Sequence, residues 1–259
     1  MRRARPLLGT LVEVRIPDGD HGRAVEAAFR AVEKVHRLMS RHDAASDVAR
    51  INRAKPGERV AIDRWTQRVL RRAGEISAAT GGVFDCSAGS GADYRDLEFL
   101  DGTSVRLRRP VRLTLDGIAK GFAVDRAVAA LRRAGVRSGA VNAGGDLRLF
   151  GAIAEPVHVR HPGRPSRLVP IGTIRDHAVA TSALYFSRGR RRGVPDSTIV
   201  DPRNGKSCHS RASATVIAQD CMTADALTKA VLLDPGGAPR ALRRLRARAI
   251  LVRTEGTAA

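Results

Sequence analysis

Aromatic side chains are scarce in this chain: Phe, Trp and Tyr together make up 3% of its 259 residues. That leaves no platform on which the bases of a nucleic-acid single strand could stack. Cysteine is almost as rare. Cys86, Cys208 and Cys221 show no CxxC or CxxxC spacing, which excludes a disulfide framework or a cysteine metal cluster and suits a reducing compartment. No stretch approaches about eighteen apolar residues, so no membrane-spanning helix is expected. Behind Arg2, Arg3 and Arg5 only Leu7 and Leu8 precede Gly9, too short an apolar run for a signal peptide. A cytoplasmic protein is expected. Acidic residues are also in deficit, 26 Asp+Glu against 46 Lys+Arg for a formal charge of +20. Such a surplus suits nucleic acid, anionic lipid or phosphorylated ligands. The basic residues, however, are mostly arginine and dispersed along the whole chain, with no recognition helix. A solvated arginine-rich surface is expected, not a nucleic-acid partner.

What is present is globular: 43% apolar and 28% charged residues, with no linker composition to divide the chain. One unit over 1–259 is expected. Period-two and period-3.6 patterns predict a strand at Thr10 to Ile16 and a long helix from Asp20 or the following His21-Gly22 to about Arg41. Ser46 and Asp63 read as N-caps of two further helices, and Gly81-Gly82 as the stop of the second. Val105 to Leu107 and Val111 to Asp116 read as a hairpin around Arg108-Arg109-Pro110. Strands dominate the second half, with Gly189 to Gly193 as a basic loop, until a helix opens at Thr223. Helix-rich first and strand-rich later, without βαβ alternation, the order predicts an α+β fold.

The chain is organised around Leu113-Thr114-Leu115-Asp116-Gly117-Ile118-Ala119-Lys120-Gly121-Phe122-Ala123-Val124-Asp125. Its left half alternates as a strand; its right half has the spacing of a helix ending at Ala134-Gly135. Gly117 and Gly121 bracket a turn that a ligand could approach closely. Lys120 stands at the mouth of the helix, where free N–H groups and the macrodipole favour an anion. Such turns are common, and most are only structural. In the later helix, Asp225 shares a face with Thr228 and Lys229. A carboxylate beside a hydroxyl can hold a hard cation such as Mg²⁺; Lys229 can instead pair with that carboxylate directly.

Taken together, Gly9-Thr10, Gly81-Gly82-Val83-Phe84-Asp85, Asp116 to Asp125, Val141-Asn142-Ala143-Gly144-Gly145-Asp146, Ala180-Thr181-Ser182, Ile199 to Gly205 and Met222-Thr223-Ala224-Asp225-Ala226-Leu227 resemble the ApbE-like FAD:protein FMN transferases. The matches keep the family order along nearly the whole chain. The resemblance implies a fold of two T-fold-like halves with mixed or antiparallel sheets. It implies Mg²⁺-dependent transfer of the FMN moiety of FAD onto a Thr or Ser hydroxyl of an acceptor flavoprotein, releasing AMP. Further, it implies a metal held by Gly117, Asp225 and Thr228, with Asp225 and Thr228 catalytic, and FAD contacts at Lys120, Asp116, Gly121, Gly144, Thr181 and Ala212. The chain departs from the family pattern at several places. Thr114 and Thr198 stand where Asp and His are usual, and Asp85-Cys86-Ser87 where Asp-Pro-Thr is usual. Lys229 fills the position of the usual ligand Thr. Either Thr228 reaches the metal after a small rotation, or the Lys229 ammonium takes part of the metal's space. The alternative function is that of a relative that only binds FAD or hydrolyses its pyrophosphate.

Overall fold

The computed structural model describes every residue except 18, 20, 88–90, 185–188, 192–193, 197–198 and 255–259, and only the backbone over 189–191 and 194–196. Thr198 and the tip of the expected loop after Cys86 lie outside the described residues; of the expected basic loop Gly189 to Gly193, Gly189–Arg191 forms a strand instead and 192–193 lie outside the described residues.

The chain opens with β1 (Arg2–Leu7) and β2 (Thr10–Arg15), joined by Leu8 and Gly9, both at positive φ. Two such residues give the turn whose twist matches a tight hairpin. Next come α1 (Gly22–Met39), α2 (Asp47–Arg53), β3 (Arg59–Ala61) and α3 (Arg64–Ala79). Ser46 accepts from the Ala49 N–H at 3.0 Å and Asp63 from the Trp65 N–H at 2.8 Å, so both expected caps form. β4 (Leu97–Phe99) and β5 (Ser104–Leu107) join β3 in a small sheet of order β3-β5-β4. After α4 (Ala119–Arg133) follow β6 (Gly139–Ala143), β7 (Asp146–Phe150), β8 (Ala154–His161), β9 (Arg164–Arg175), β10 (Ala178–Ala183), β11 (Gly189–Arg191) and β12 (Val194–Asp196). The chain then runs through β13 (Ala212–Ala218), α5 (Cys221–Leu233), α6 (Ala238–Arg244) and β14 (Arg248–Arg253).

Seven strands in the order β1-β2-β6-β7-β10-β13-β14 make the central sheet, and each of its pairings is antiparallel. Alternation along the strands sorts side chains between two faces. Val141, Ala143, Phe150, Ala178 and Ala180 face the main core with α1, α4 and α5. Ala140, Leu147, Leu149 and Val179 face the other way, onto Val157, Ile171 and Ile174 of the β8–β9 ribbon. The helical layer on one face and the ribbon on the other leave the end of the sheet near Gly144 as an open mouth. The fold is α+β, as the element order predicts.

Two further sequence expectations need correction. Val111, Leu113 and Leu115 are buried as the alternation implies, but 111–116 forms no strand, and β5 pairs with β3 and β4 instead. Asn52 of α2 does the work of a neighbouring strand: its amide donates to the Leu113 carbonyl at 2.9 Å and accepts from the Leu113 N–H at 2.7 Å. The Thr114 N–H reaches the Cys86 carbonyl at 2.8 Å. Replacing Asn52 by leucine strands two backbone groups, so a loss of about 2 kcal/mol in chemical denaturation is expected. The second correction concerns α5. It starts at Cys221, not Thr223, with Asp220 as N-cap accepting from the Thr223 N–H at 2.8 Å. Asp225 is therefore past the first turn, and the dipole of its own helix does not explain it.

α4 and α5 cap one another. Asp125 of α4 accepts from the Cys221 and Met222 N–H groups at the start of α5, both at 2.9 Å. Asp225 of α5 accepts from the Gly121 N–H in the first turn of α4 at 3.1 Å. Ile118, the N-cap residue of α4, offers no side-chain acceptor, so Asp225 supplies one from outside. Burial and the charge of Asp220 push the Asp125 carboxyl up to about 7, while the two amides and Arg148 pull it down. Each carboxyl oxygen takes one of these N–H groups. Asp125→Ala is expected to lower stability by about 2 kcal/mol, the cost of orphaning buried helix donors, read from the denaturant midpoint.

Candidate functional site

β6 and β7 turn through Gly144 and Gly145, both at positive φ, and a Cβ on Gly144 would strike the Thr10 hydroxyl. The Asn142 side chain fixes the turn by accepting from the Gly145 N–H at 2.9 Å. This hairpin delivers Asp146, the first residue of β7, into the protein interior with 1% exposure. There it meets Lys120, second residue of α4, in an ion pair. Across from them Asp225, also 1% exposed, pairs through Oδ1 with Lys229 one turn further along α5. Lys229 Nζ bonds the Asp225 carbonyl as well, at 3.0 Å.

Two ammonium groups and two carboxylates thus form one cluster of zero net charge. Burial alone would raise Asp225, but Lys120 and Lys229 more than offset it and hold the carboxyl below its ordinary value. Burial opposes the charge on Lys120, yet Asp225 and Asp146 keep its ammonium above the ordinary lysine range. Asp146 is raised, by its burial first and by Asp225 second, with Lys120 and Lys229 pulling against both. Breaking such a network from one side strands a buried charge.

A cavity of about 740 Å³ opens beside the cluster. Lys120 and Lys229 both line it, with Gly144, Gly145, Thr181 and Ser182 around them and the β8 strand as a wall. The size lies within the ~300–1,000 Å³ typical of ligand pockets. Asp146 and Asp225 lie buried behind the cavity wall while the Lys120 and Lys229 ammonium groups face it, so an anion is the ligand class these lysines favour.

The expected site residues separate into two groups. Lys120, Gly144 and Thr181 line the cavity; Asp225 and Thr228 lie buried just behind it. Gly117 lies against the Lys229 stem, with 3.6 Å from a Cβ built there to Lys229 Cε. Gly121 is pressed onto α5 and offers its N–H to Asp225, not to a ligand. Asp116 is not brought to the cavity: its side chain is 63% exposed and pairs with Arg41 at 3.3 Å. Ala212 is buried in β13 opposite Arg253, also away from the cavity lining.

Sequence reasoning did not assign Asp146 as the partner of Lys120, nor Ser182 as the partner of Thr228, hydroxyl to hydroxyl at 2.7 Å. The Gly-Gly hairpin was the available signal for the first, since it fixes where the next side chain points. Arg15, Glu155 and Arg160 also line the cavity. Only the pairing of distant strands brings them there.

Two of the three residues expected to bind magnesium, Asp225 and Thr228, are already engaged. Asp225 gives one oxygen to Lys229 and the other to the Gly121 N–H, while the Thr228 hydroxyl donates to the Asp225 carbonyl at 2.6 Å. Among the described residues no group of three or more His, Cys, Asp or Glu could hold a metal ion. A divalent cation needs several free oxygens. The residues present do not fit one.

An antiparallel α+β fold that sets Lys120, at the start of α4, and Lys229, on α5, beside one cavity suits a class of proteins that grip anionic small molecules. Within that class the chain belongs to the ApbE family, whose family model matches residues 8–96 and 90–251. A protein of Vibrio cholerae named FAD:protein FMN transferase is 27% identical over 237 residues, covering 79% of this chain and 71% of its own. One of the same name from Treponema pallidum is 26% identical over 278 residues, covering 88% and 77%. The solved ApbE protein from Thermotoga maritima matches with a TM-score of 0.85 at 26% identity, over 98% of this chain and 97% of that one. The flavin transferase ApbE from Vibrio cholerae gives 0.83 at 22% identity over 98% and 94%, a likeness of fold alone. No helix among the described residues is long and apolar enough to cross a membrane.

Proposed function

We propose that this chain transfers the FMN moiety of FAD to a Thr or Ser hydroxyl of an acceptor flavoprotein and releases AMP. The observation that carries the reading is the pair Lys120 and Lys229 on the wall of one cavity, in a chain of the ApbE family. The diphosphate of FAD lies against these ammonium groups. The acceptor hydroxyl oxygen attacks the FMN-side phosphorus, and the phosphoanhydride bond to AMP breaks. AMP leaves with the bridging oxygen; the hydroxyl proton passes to solvent. Charge builds on that leaving oxygen, and fixed cations nearby stabilise it. Magnesium is left out of this reading because Asp225 and Thr228, its expected side-chain donors, are occupied. A single positive charge on each lysine, partly spent on an aspartate, neutralises less than a divalent ion. That favours slow transfer, and makes FAD binding with pyrophosphate hydrolysis the second reading.

The test incubates the chain with FAD and a candidate acceptor subunit. In-gel flavin fluorescence on the acceptor, with one AMP released per flavin attached, is the expected result. AMP without a fluorescent acceptor would replace transfer by hydrolysis.

A further inference from the structure

We propose that Lys229 takes the place of a divalent cation at this site, so that the positive charge facing the ligand is built into the chain. The inference deepens the flavin reading and takes its ligand class from it. Three observations carry it. First, the Lys229 stem fills the space between the glycine turn and α5: Cε and Cδ lie 3.6 and 3.9 Å from a Cβ built on Gly117. Second, its ammonium sits on Asp225 Oδ1 and also on the Asp225 carbonyl at 3.0 Å, while Gly121 N–H holds Oδ2. Neither carboxylate oxygen is left without a donor. Third, the Thr228 hydroxyl is already engaged, donating to the Asp225 carbonyl and meeting the Ser182 hydroxyl.

Electrostatics point the same way. Lys120 and Lys229 balance Asp146 and Asp225, so the cluster is neutral as built. A divalent ion entering it would bring two further positive charges within reach of two ammonium groups, and among the described residues Glu155, the acidic residue of the cavity lining, is already paired with Arg15. An anion arriving from the cavity meets Lys229, 16% exposed, and Lys120, 29% exposed, without displacing anything. A phosphate group is therefore received by preformed charges, with no metal to recruit.

The test uses the full chain and Mn²⁺ as the metal probe, followed by the free-ion signal in electron paramagnetic resonance. Wild type is expected to leave the free Mn²⁺ signal unchanged. Lys229→Thr, which removes the ammonium and adds a hydroxyl, is expected to bind one Mn²⁺ per chain at least about tenfold more tightly. FAD titrations then compare EDTA with excess Mg²⁺: wild-type affinities are expected to agree within about twofold, and Lys229→Thr to gain about tenfold with Mg²⁺. One Mn²⁺ bound by wild type, a wild-type FAD affinity that climbs about tenfold with Mg²⁺, or a Lys229→Thr variant that still excludes Mn²⁺ would each overturn the proposal. No FAD binding in either buffer, with the Mn²⁺ results as expected, would uphold the lysine's role and overturn the flavin reading instead.

Discussion

Asp225→Ala is expected to destabilise the protein by about 3–5 kcal/mol, the cost of removing one partner of a buried pair and leaving the other charged. The substitution takes the anion from Lys229, weakens the field that holds Lys120, and orphans the Gly121 N–H at the start of α4. Asp225→Asn keeps an acceptor for Gly121 and should cost less. Chemical denaturation gives both numbers, and a loss under about 1 kcal/mol for alanine would show the cluster to be energetically idle. The pH dependence has a definite sign. Asp225 is held below the ordinary aspartate value of 3.8 in the folded state, so the unfolded chain takes up the proton first as pH falls. The stability that this aspartate contributes is whole above that value and is lost as pH drops through its folded pKa. Wild type should therefore lose stability below pH 3.8 more steeply than Asp225→Asn.

Gly121→Ala is expected to be nearly as damaging, at about 3 kcal/mol, although alanine favours helices over glycine by about 1 kcal/mol. A Cβ on Gly121 would overlap the Cys221 carbonyl and come within 2.9 Å of Asp225 Cβ. These are backbone and a buried side chain, so neither yields without moving α5 off α4. The same change at Gly117 makes the control. There a Cβ would meet only side chains, Phe84 at 3.3 Å and the Lys229 stem at 3.6 Å, on a backbone without positive φ. Gly117→Ala should stay within about 1 kcal/mol of wild type. Equal losses at the two glycines, measured by denaturation, would contradict the helix contact as described.

Local signals in the sequence were legible wherever one residue settles one bond. Ser46, Asp63, Gly81 and Gly135 mark helix ends because capping and positive φ are properties of a few residues and their neighbours. Periodicity was legible as burial and misleading as pairing. Val111, Leu113 and Leu115 do face inward, but Asn52, distant in sequence, supplies the partner that a strand would have given. β1 went unseen because Arg2, Arg3 and Arg5 carry no apolar period; it is an exposed edge strand, pinned by Arg2 to Glu13 across the hairpin. At the site, the resemblance brought Lys120, Gly144, Thr181 and Asp225 to one place. Asp116 and Ala212 stand apart because adjacency along a motif does not fix which way a side chain turns. The charge cluster itself joins residues from α4, β7 and α5. No local pattern encodes that meeting; only the antiparallel order β6-β7-β10-β13 and the crossing of α4 with α5 produce it.

The central claim is that the cavity holds a flavin dinucleotide by its diphosphate, through Lys120 and Lys229. Fluorescence anisotropy of FAD titrated with the full chain tests it most directly. The account predicts a rise that saturates at one FAD per chain and is reversed by ADP, which carries the diphosphate, but not by riboflavin, which carries none. Anisotropy that stays at the value of free FAD, or displacement by riboflavin and not by ADP, would contradict it.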